Sequence, residues 1–170
     1  GLDIVLHAAN LLRDHADIQF ELLGDGQTYV EMRTLADDLA LDNVTFAPEW
    51  LSLPALARSV AGAGACLGVL SAAAKTQRVI PTKAFLALAW GLPLITGDTP
   101  GARELLTHGV HALLCPPADP QALAEAILRL YRDRALGQEL ARQGRALYQE
   151  RCSPQAIGAA VLALAHEVLP

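Results

Sequence analysis

Lys75, Arg78 and Lys83 fall inside one short stretch, KTQRVIPTK, of a chain whose formal net charge is -5. Cations gathered at one place in an acidic protein suggest the holding of a small anion. Pro81 suits the first turn of a helix, because its missing N–H is one of the donors that a helix start leaves unpaired. The pattern predicts a helix from about Pro81 to Trp90. Ile80, just before it, has no side-chain oxygen, so the amides of Thr82, Lys83 and Ala84 are expected to lack a capping partner. A helix N-terminus disfavours cations. A bound phosphate would reconcile the dipole, the backbone donors and the basic side chains. The same residues also fit a core helix whose lysines snorkel at its mouth, and on this stretch alone both readings stay open.

The elements that must position these residues follow from the rest of the pattern. The helix body AFLALAWG is apolar on every side and needs cover on more than one face. Gly91 ends it, and LPLIT, residues 92–96, reads as a strand buried on both faces. Upstream, residues 2–15 have helical spacing, residues 18–26 (IQFELLGDG) form a strand stopped at Gly24, Asp25 and Gly26, and a helix follows over 28–39. Residues 43–50, 65–71 and 111–116 supply three more strands, 53–63 another helix, and a short helix carries Arg103 and Glu104. Everything beyond Asp119 is expected to be helical, through PQAIGAAVLALAHEVL to Leu169. Short apolar strands alternating with helices imply an α/β fold, a three-layer α/β/α Rossmann-like domain with a parallel sheet and a helical C-terminus. Ligands of such sheets bind outside the carboxyl ends of the strands. The loops after Gly24, Phe46, Leu70 and Thr96 are therefore the expected binding edge. The GDG turn is too short to be the full dinucleotide fingerprint.

The chain has 170 residues, 52% hydrophobic and 18% charged, which fits one globular domain with a full core. No apolar run reaches the length of a membrane span, and no secretory signal pattern opens the sequence. The acidic balance and the locality of the basic cluster argue against a nucleic-acid binder. Cys66, Cys115 and Cys152 are odd in number and widely spaced, so free thiols and a cytoplasmic location are expected. His108 and His111 come closest to a metal-ligand pair but lack further ligands, so no metal and no cofactor is expected.

In order along the chain, GLDIVLHAANLL, ELLGDG, NVTF, VIPTKAFLALAWGLPLITGD, the Glu of RELL and LLCPPADPQALAEAI resemble the C-terminal half of retaining, nucleotide-sugar-dependent group 1 glycosyltransferases of the two-domain B-type fold. The resemblance covers nearly the whole chain. It implies that residues 1–170 form the donor-binding domain. The acceptor-binding N-terminal domain, the first strand and the upstream Arg and Lys that grip the diphosphate would lie outside. By that resemblance the partner is a nucleotide diphosphate sugar, the role belongs to glycan biosynthesis, and the fragment alone should not catalyse transfer. Any peripheral membrane contact would run through the absent half.

Carried onto this sequence, the family pattern places Gly24, Asp25 and Gly26 beside the donor and Glu49 and Trp50 at the base. It brings the amides of Ile80 and Thr82, with Lys83, to the phosphates, adds Lys75 and Arg78 as further contacts, and gives Glu104 a family counterpart that is often Glu. Trp50 would equally suit a half-buried core position, and Glu104 a helix surface. Many family members carry two acidic residues eight apart here, the second holding the ribose hydroxyls. This chain has Arg78 and Leu86 instead, and Leu cannot accept a hydrogen bond. No catalytic base or nucleophile is assigned, because no carboxylate pair resembles glycosidase geometry. Two other assignments stay open: a degenerate, non-catalytic nucleotide-binding or scaffold domain, and half of a sugar-nucleotide epimerase.

Overall fold

Five short strands alternate with helices in a computed structural model that describes residues 1–168. Helix α1 (Leu2–Leu11) leads into β1 (Phe20–Leu23), α2 (Tyr29–Asp38), β2 (Val44–Ala47), α3 (Leu53–Val60) and β3 (Cys66–Leu67). A 3-10 turn (Thr76–Arg78) then precedes α4 (Thr82–Trp90), β4 (Leu94–Gly97), the one-turn helix α5 (Pro100–Arg103) and β5 (Leu113–Cys115). Helices α6 (Pro120–Arg132) and α7 (Arg134–Leu147), a π turn (Tyr148–Cys152) and α8 (Pro154–Val168) complete the chain. The expected helical position Leu169 lies outside the described residues.

All strand pairs are parallel, as the crossovers require. The ladder is divided: β1 pairs with β2 from Phe20↔Val44 to Leu23↔Ala47, while β3, β4 and β5 form a second sheet in that order. Sequence alternation predicts one parallel sheet, and the strands do share one apolar core, in which Ile18 and Phe20 pack with Leu70, Ile95, Leu113 and Leu123. Among the described residues no ladder joins β1 to β3. The apolar run 65–71 yields a strand of only two residues, Cys66 and Leu67, although Gly68 N–H still donates to Ile95 O at 2.7 Å.

The helix stops follow the sequence. Gly91 takes the left-handed conformation, φ 67° and ψ 45°, that closes α4, and Leu92 N–H donates to Ala87 O at 3.0 Å. Thr99 caps α5, accepting from Ala102 N–H at 3.1 Å, and Asp119 caps α6, accepting from Ala122 N–H at 3.0 Å. Buried Asn43 ties β2 to α1, its Nδ2 donating to Ala9 O at 2.9 Å. Helix α4 buries one stripe, Ala84, Ala87 and Leu88, in a second apolar cluster with Leu94, Ala102, Leu106, Leu114 and Leu147, while Phe85, Leu86, Ala89 and Trp90 are half-buried rather than fully covered. Helix α8 buries none of its residues and leaves Ile157, Val161, Leu162 and Leu164 exposed. No helix among the described residues is long and apolar enough to cross a membrane.

Candidate functional site

The basic stretch is built as a braced loop in front of a capless helix. Thr76 Oγ1 lies 2.7 Å from both Ser71 O and Ala73 O and shares its single proton between them, and Ala73 N–H donates to Ser71 Oγ at 3.1 Å, which shapes residues 71–76. Lys75 enters the 3-10 turn and Arg78 ends it, and both side chains are exposed. Ile80 turns inward onto the cluster around Ala84 and Ala102, which anchors the loop just before α4.

Pro81 is the N-cap residue of α4, extended at φ -71° and ψ 149°, with no side-chain cap. Helix α4 therefore starts one residue later than the sequence predicts. Ala84 N–H is not free as expected: it donates to Pro81 O at 2.9 Å, the bond that closes the first turn. The amides of Thr82 and Lys83 remain as the open donors. Among the described residues, Lys75, Arg78 and Lys83 form no ion pair.

Lys83 is exposed as a whole residue, yet desolvation holds its ammonium below the ordinary lysine range, with a smaller opposing pull from Cys66. Burial in turn pushes the Cys66 thiol up, and Lys83 tempers that rise. The mutual influence of Cys66 and Lys83 is one the sequence pattern does not reveal, since 17 positions separate them and no local motif links them. Leu86 lies one turn further along α4, half-buried, with no polar atom to offer a ligand.

The other expected site residues stand on the neighbouring loops. Gly24, at φ 99°, turns the chain at the carboxyl end of β1, its N–H donating to Ala47 O at 2.8 Å, and Asp25 and Gly26 follow on the surface. Glu49 and Trp50 follow β2, and Trp50 is 85% exposed, so its indole is not a core group. No hydrogen bond among the described residues joins these two loops to residues 71–83. Glu104 ends α5 and is exposed.

Beside it, a pair that sequence reasoning misses is formed. Arg103 donates from Nε to Asp98 Oδ1, and from Nη2 to Asp98 Oδ2 at 2.6 Å, and this holds the Asp98 carboxyl below the usual range. His108 and His111 are engaged by backbone: Nδ1 of His108 accepts from Leu114 N–H at 3.0 Å, and Nδ1 of His111 accepts from Thr107 N–H at 3.1 Å. No group of three or more His, Cys, Asp or Glu among the described residues is placed to hold a metal. Cys66, Cys115 and Cys152 are free thiols.

Two open concavities lie away from the basic loop. One of about 240 Å³ is bordered by β5 and α6 and reaches His108, Glu125 and Arg129, and one of about 370 Å³ lies between α1 and α2. Chemically, the loop and helix start offer an open surface with two backbone donors and three cations that are unpaired among the described residues, suited to a small anion.

Residues 1–133 match the family described as Glycosyl transferases group 1. An exopolysaccharide phosphotransferase of Streptomyces coelicolor is 34% identical over 130 residues, covering 75% of this chain and 13% of its own length. The amylovoran biosynthesis glycosyltransferase AmsK of Erwinia amylovora is 28% identical over 132 residues, covering 76% of this chain and 32% of its own. The chain thus spans a third or less of these curated relatives. Among solved structures, Anabaena HepE in complex with UDP-glucose superposes with a TM-score of 0.77 at 23% identity, over 98% of this chain and 45% of that one. The fold is that of the Rossmann-like domains of B-type glycosyltransferases, and the chain belongs to the group 1 glycosyltransferases.

Proposed function

We propose that residues 1–170 are the donor-binding half of a glycosyltransferase that moves a sugar from a nucleoside diphosphate to an acceptor held by a separate N-terminal domain. The observation that carries this reading is the capless start of α4: two open amides, Thr82 and Lys83, flanked by Lys75, Arg78 and Lys83, none of them ion-paired among the described residues. The family match and the UDP-glucose named for Anabaena HepE support a nucleotide-sugar diphosphate as the anion. In this reading the amides and cations stabilise the charge that develops on the departing diphosphate as the glycosidic bond breaks. Trp50, with its indole free, and Glu49 border the base, Gly24 to Gly26 and Glu104 line the approach, and Leu86 walls the ribose side without binding it. Transfer then needs the acceptor domain, and this half alone is inactive.

The test is calorimetric titration of the chain with UDP, GDP and ADP, followed by Lys83→Ala and Arg78→Ala. Each lost charge-assisted contact is expected to weaken binding by about 1.5–3 kcal/mol, roughly ten- to a hundredfold. Wild-type affinity in both variants would sink the assignment. Leu86 favours one competing reading, a degenerate module. Leu86→Glu separates the two: a gain in affinity marks a pocket complete but for one contact, and no binding by either form supports the degenerate module.

A further inference from the structure

The loop that carries Arg78 is not held by its own hydrogen bonds alone. It lies against the backbone of α5, and the place of contact is Gly101, a buried residue. A Cβ built on Gly101 would stand 2.8 Å from Val79 N, 2.9 Å from Arg78 C and 3.2 Å from Gln77 O. All three atoms are backbone, so none can swing aside as a side-chain tip would, and any side chain at this position moves the loop itself. The second anchor lies two residues beyond Arg78: Ile80 packs into the cluster that also contains Ala102, the neighbour of Gly101. Helix α5 is fixed in turn, with Ala102 buried, Thr99 Oγ1 accepting from Ala102 N–H, and Arg103 paired to Asp98.

Resting on the proposed diphosphate site, we infer that Gly101 is a positioning residue for that site: α5 is the buttress against which residues 77–79 are set, and the missing side chain at Gly101 fixes where Arg78 stands relative to the α4 amides. Gly101 touches no ligand in this account and acts only through Arg78 and the loop. Anion binding by several groups at once depends on their mutual placement, and a misplacement on the order of 1 Å can cost up to a hundredfold. A Cβ at 2.8 Å from a backbone nitrogen demands a shift of several tenths of an ångström.

The experiment uses residues 1–170 and the tightest-binding of UDP, GDP and ADP, with affinities measured for wild type, Gly101→Ala, Arg78→Ala and the double variant. Gly101→Ala is expected to weaken binding about tenfold, while in the Arg78→Ala background it changes affinity less than twofold. A merely structural role would not produce that coupling. If Arg78→Ala weakens binding and Gly101→Ala does not, or if the two effects multiply independently, the positioning role is overturned and the site stands. If no diphosphate binds, or Arg78→Ala and Lys83→Ala both bind as wild type, the site falls and the inference with it. Should Gly101→Ala fail to fold, Thr99→Ala loosens the seat of α5 without inserting an atom. It must then show the same coupling to Arg78, and full affinity in that variant overturns the inference.

Discussion

Helix α4 carries the proposed site, and its seating on α7 can be tested by one double-mutant cycle. Leu88 of α4 is 1% exposed, and Gly144 of α7 faces it. A Cβ on Gly144 would meet Leu88 Cδ2 at 2.7 Å and His111 O at 3.2 Å. Leu88→Ala alone removes a fully buried side chain and should destabilise by about 2–5 kcal/mol, the spread reflecting how far the cluster of Leu94, Leu106 and Leu147 collapses into the space. Gly144→Ala alone sets two effects against each other. A helix-interior alanine gains about 1 kcal/mol over glycine, and overpacking against Leu88 costs about 1–3 kcal/mol, so the variant should be neutral to about 2 kcal/mol less stable. With Leu88 already truncated the 2.7 Å contact is gone and only the approach to His111 O remains, so the same change should stabilise by up to about 1 kcal/mol. The expected coupling is therefore about 1–3 kcal/mol in favour of the double variant. Urea unfolding with an unchanged slope across the four proteins is the assay. Additivity within about 0.5 kcal/mol would refute the packing argument, since residues out of contact add to that accuracy.

Further outcomes follow from single groups. Asp119→Ala removes the oxygen that caps α6 and should cost about 1 kcal/mol in urea unfolding, with Asp119→Asn retaining most of it. Burial lowers the His111 pKa, so the unfolded chain takes up the proton first. The stability that neutral His111 provides is therefore present above its unfolded value, near pH 6.5, and is lost as pH falls below it. His111→Asn, which keeps an acceptor near Thr107 N–H, should flatten the stability profile between about pH 7 and 5, and an unchanged profile would remove His111 from the account. Lys83 binds an anion only while protonated, and desolvation lowers its pKa. Diphosphate affinity should accordingly begin to fall with rising pH before an ordinary lysine would deprotonate, and Lys83→Arg, which keeps its charge, should remove that early part of the fall.

Most of the element order is legible in the sequence because it rests on local chemistry. Gly91 can end α4 through a left-handed turn, Pro100 and Pro120 open helices, and Gly24 turns the chain after β1, each through the conformational limits of one residue. The basic loop is legible for the same reason, as charges beside a helix start without a capping oxygen. What stays hidden depends on backbone geometry or on how separate elements pack. The open amide count drops by one because Pro81 O reaches Ala84 N–H, a bond of the turn geometry rather than of residue type. Gly68 would drive a Cβ into the Thr96 side chain, Gly101 presses on Val79 and Gly144 on Leu88, and nothing in their own surroundings in sequence distinguishes these three from Gly62 or Gly158, where a Cβ meets open space. The pairing of Asp98 with Arg103 and the approach of Cys66 to Lys83 are likewise decided by how α5 and β3 pack. Alternation of strands and helices predicts parallel neighbours, but which edges bond is set by the crossovers, and β1 and β3 end in separate ladders over one core. The charged side chains of the candidate site are displayed by the sequence, while the contacts that set their loop, Thr76 on Ser71, Ile80 in the second cluster and Gly101 against Val79, are made only in the fold.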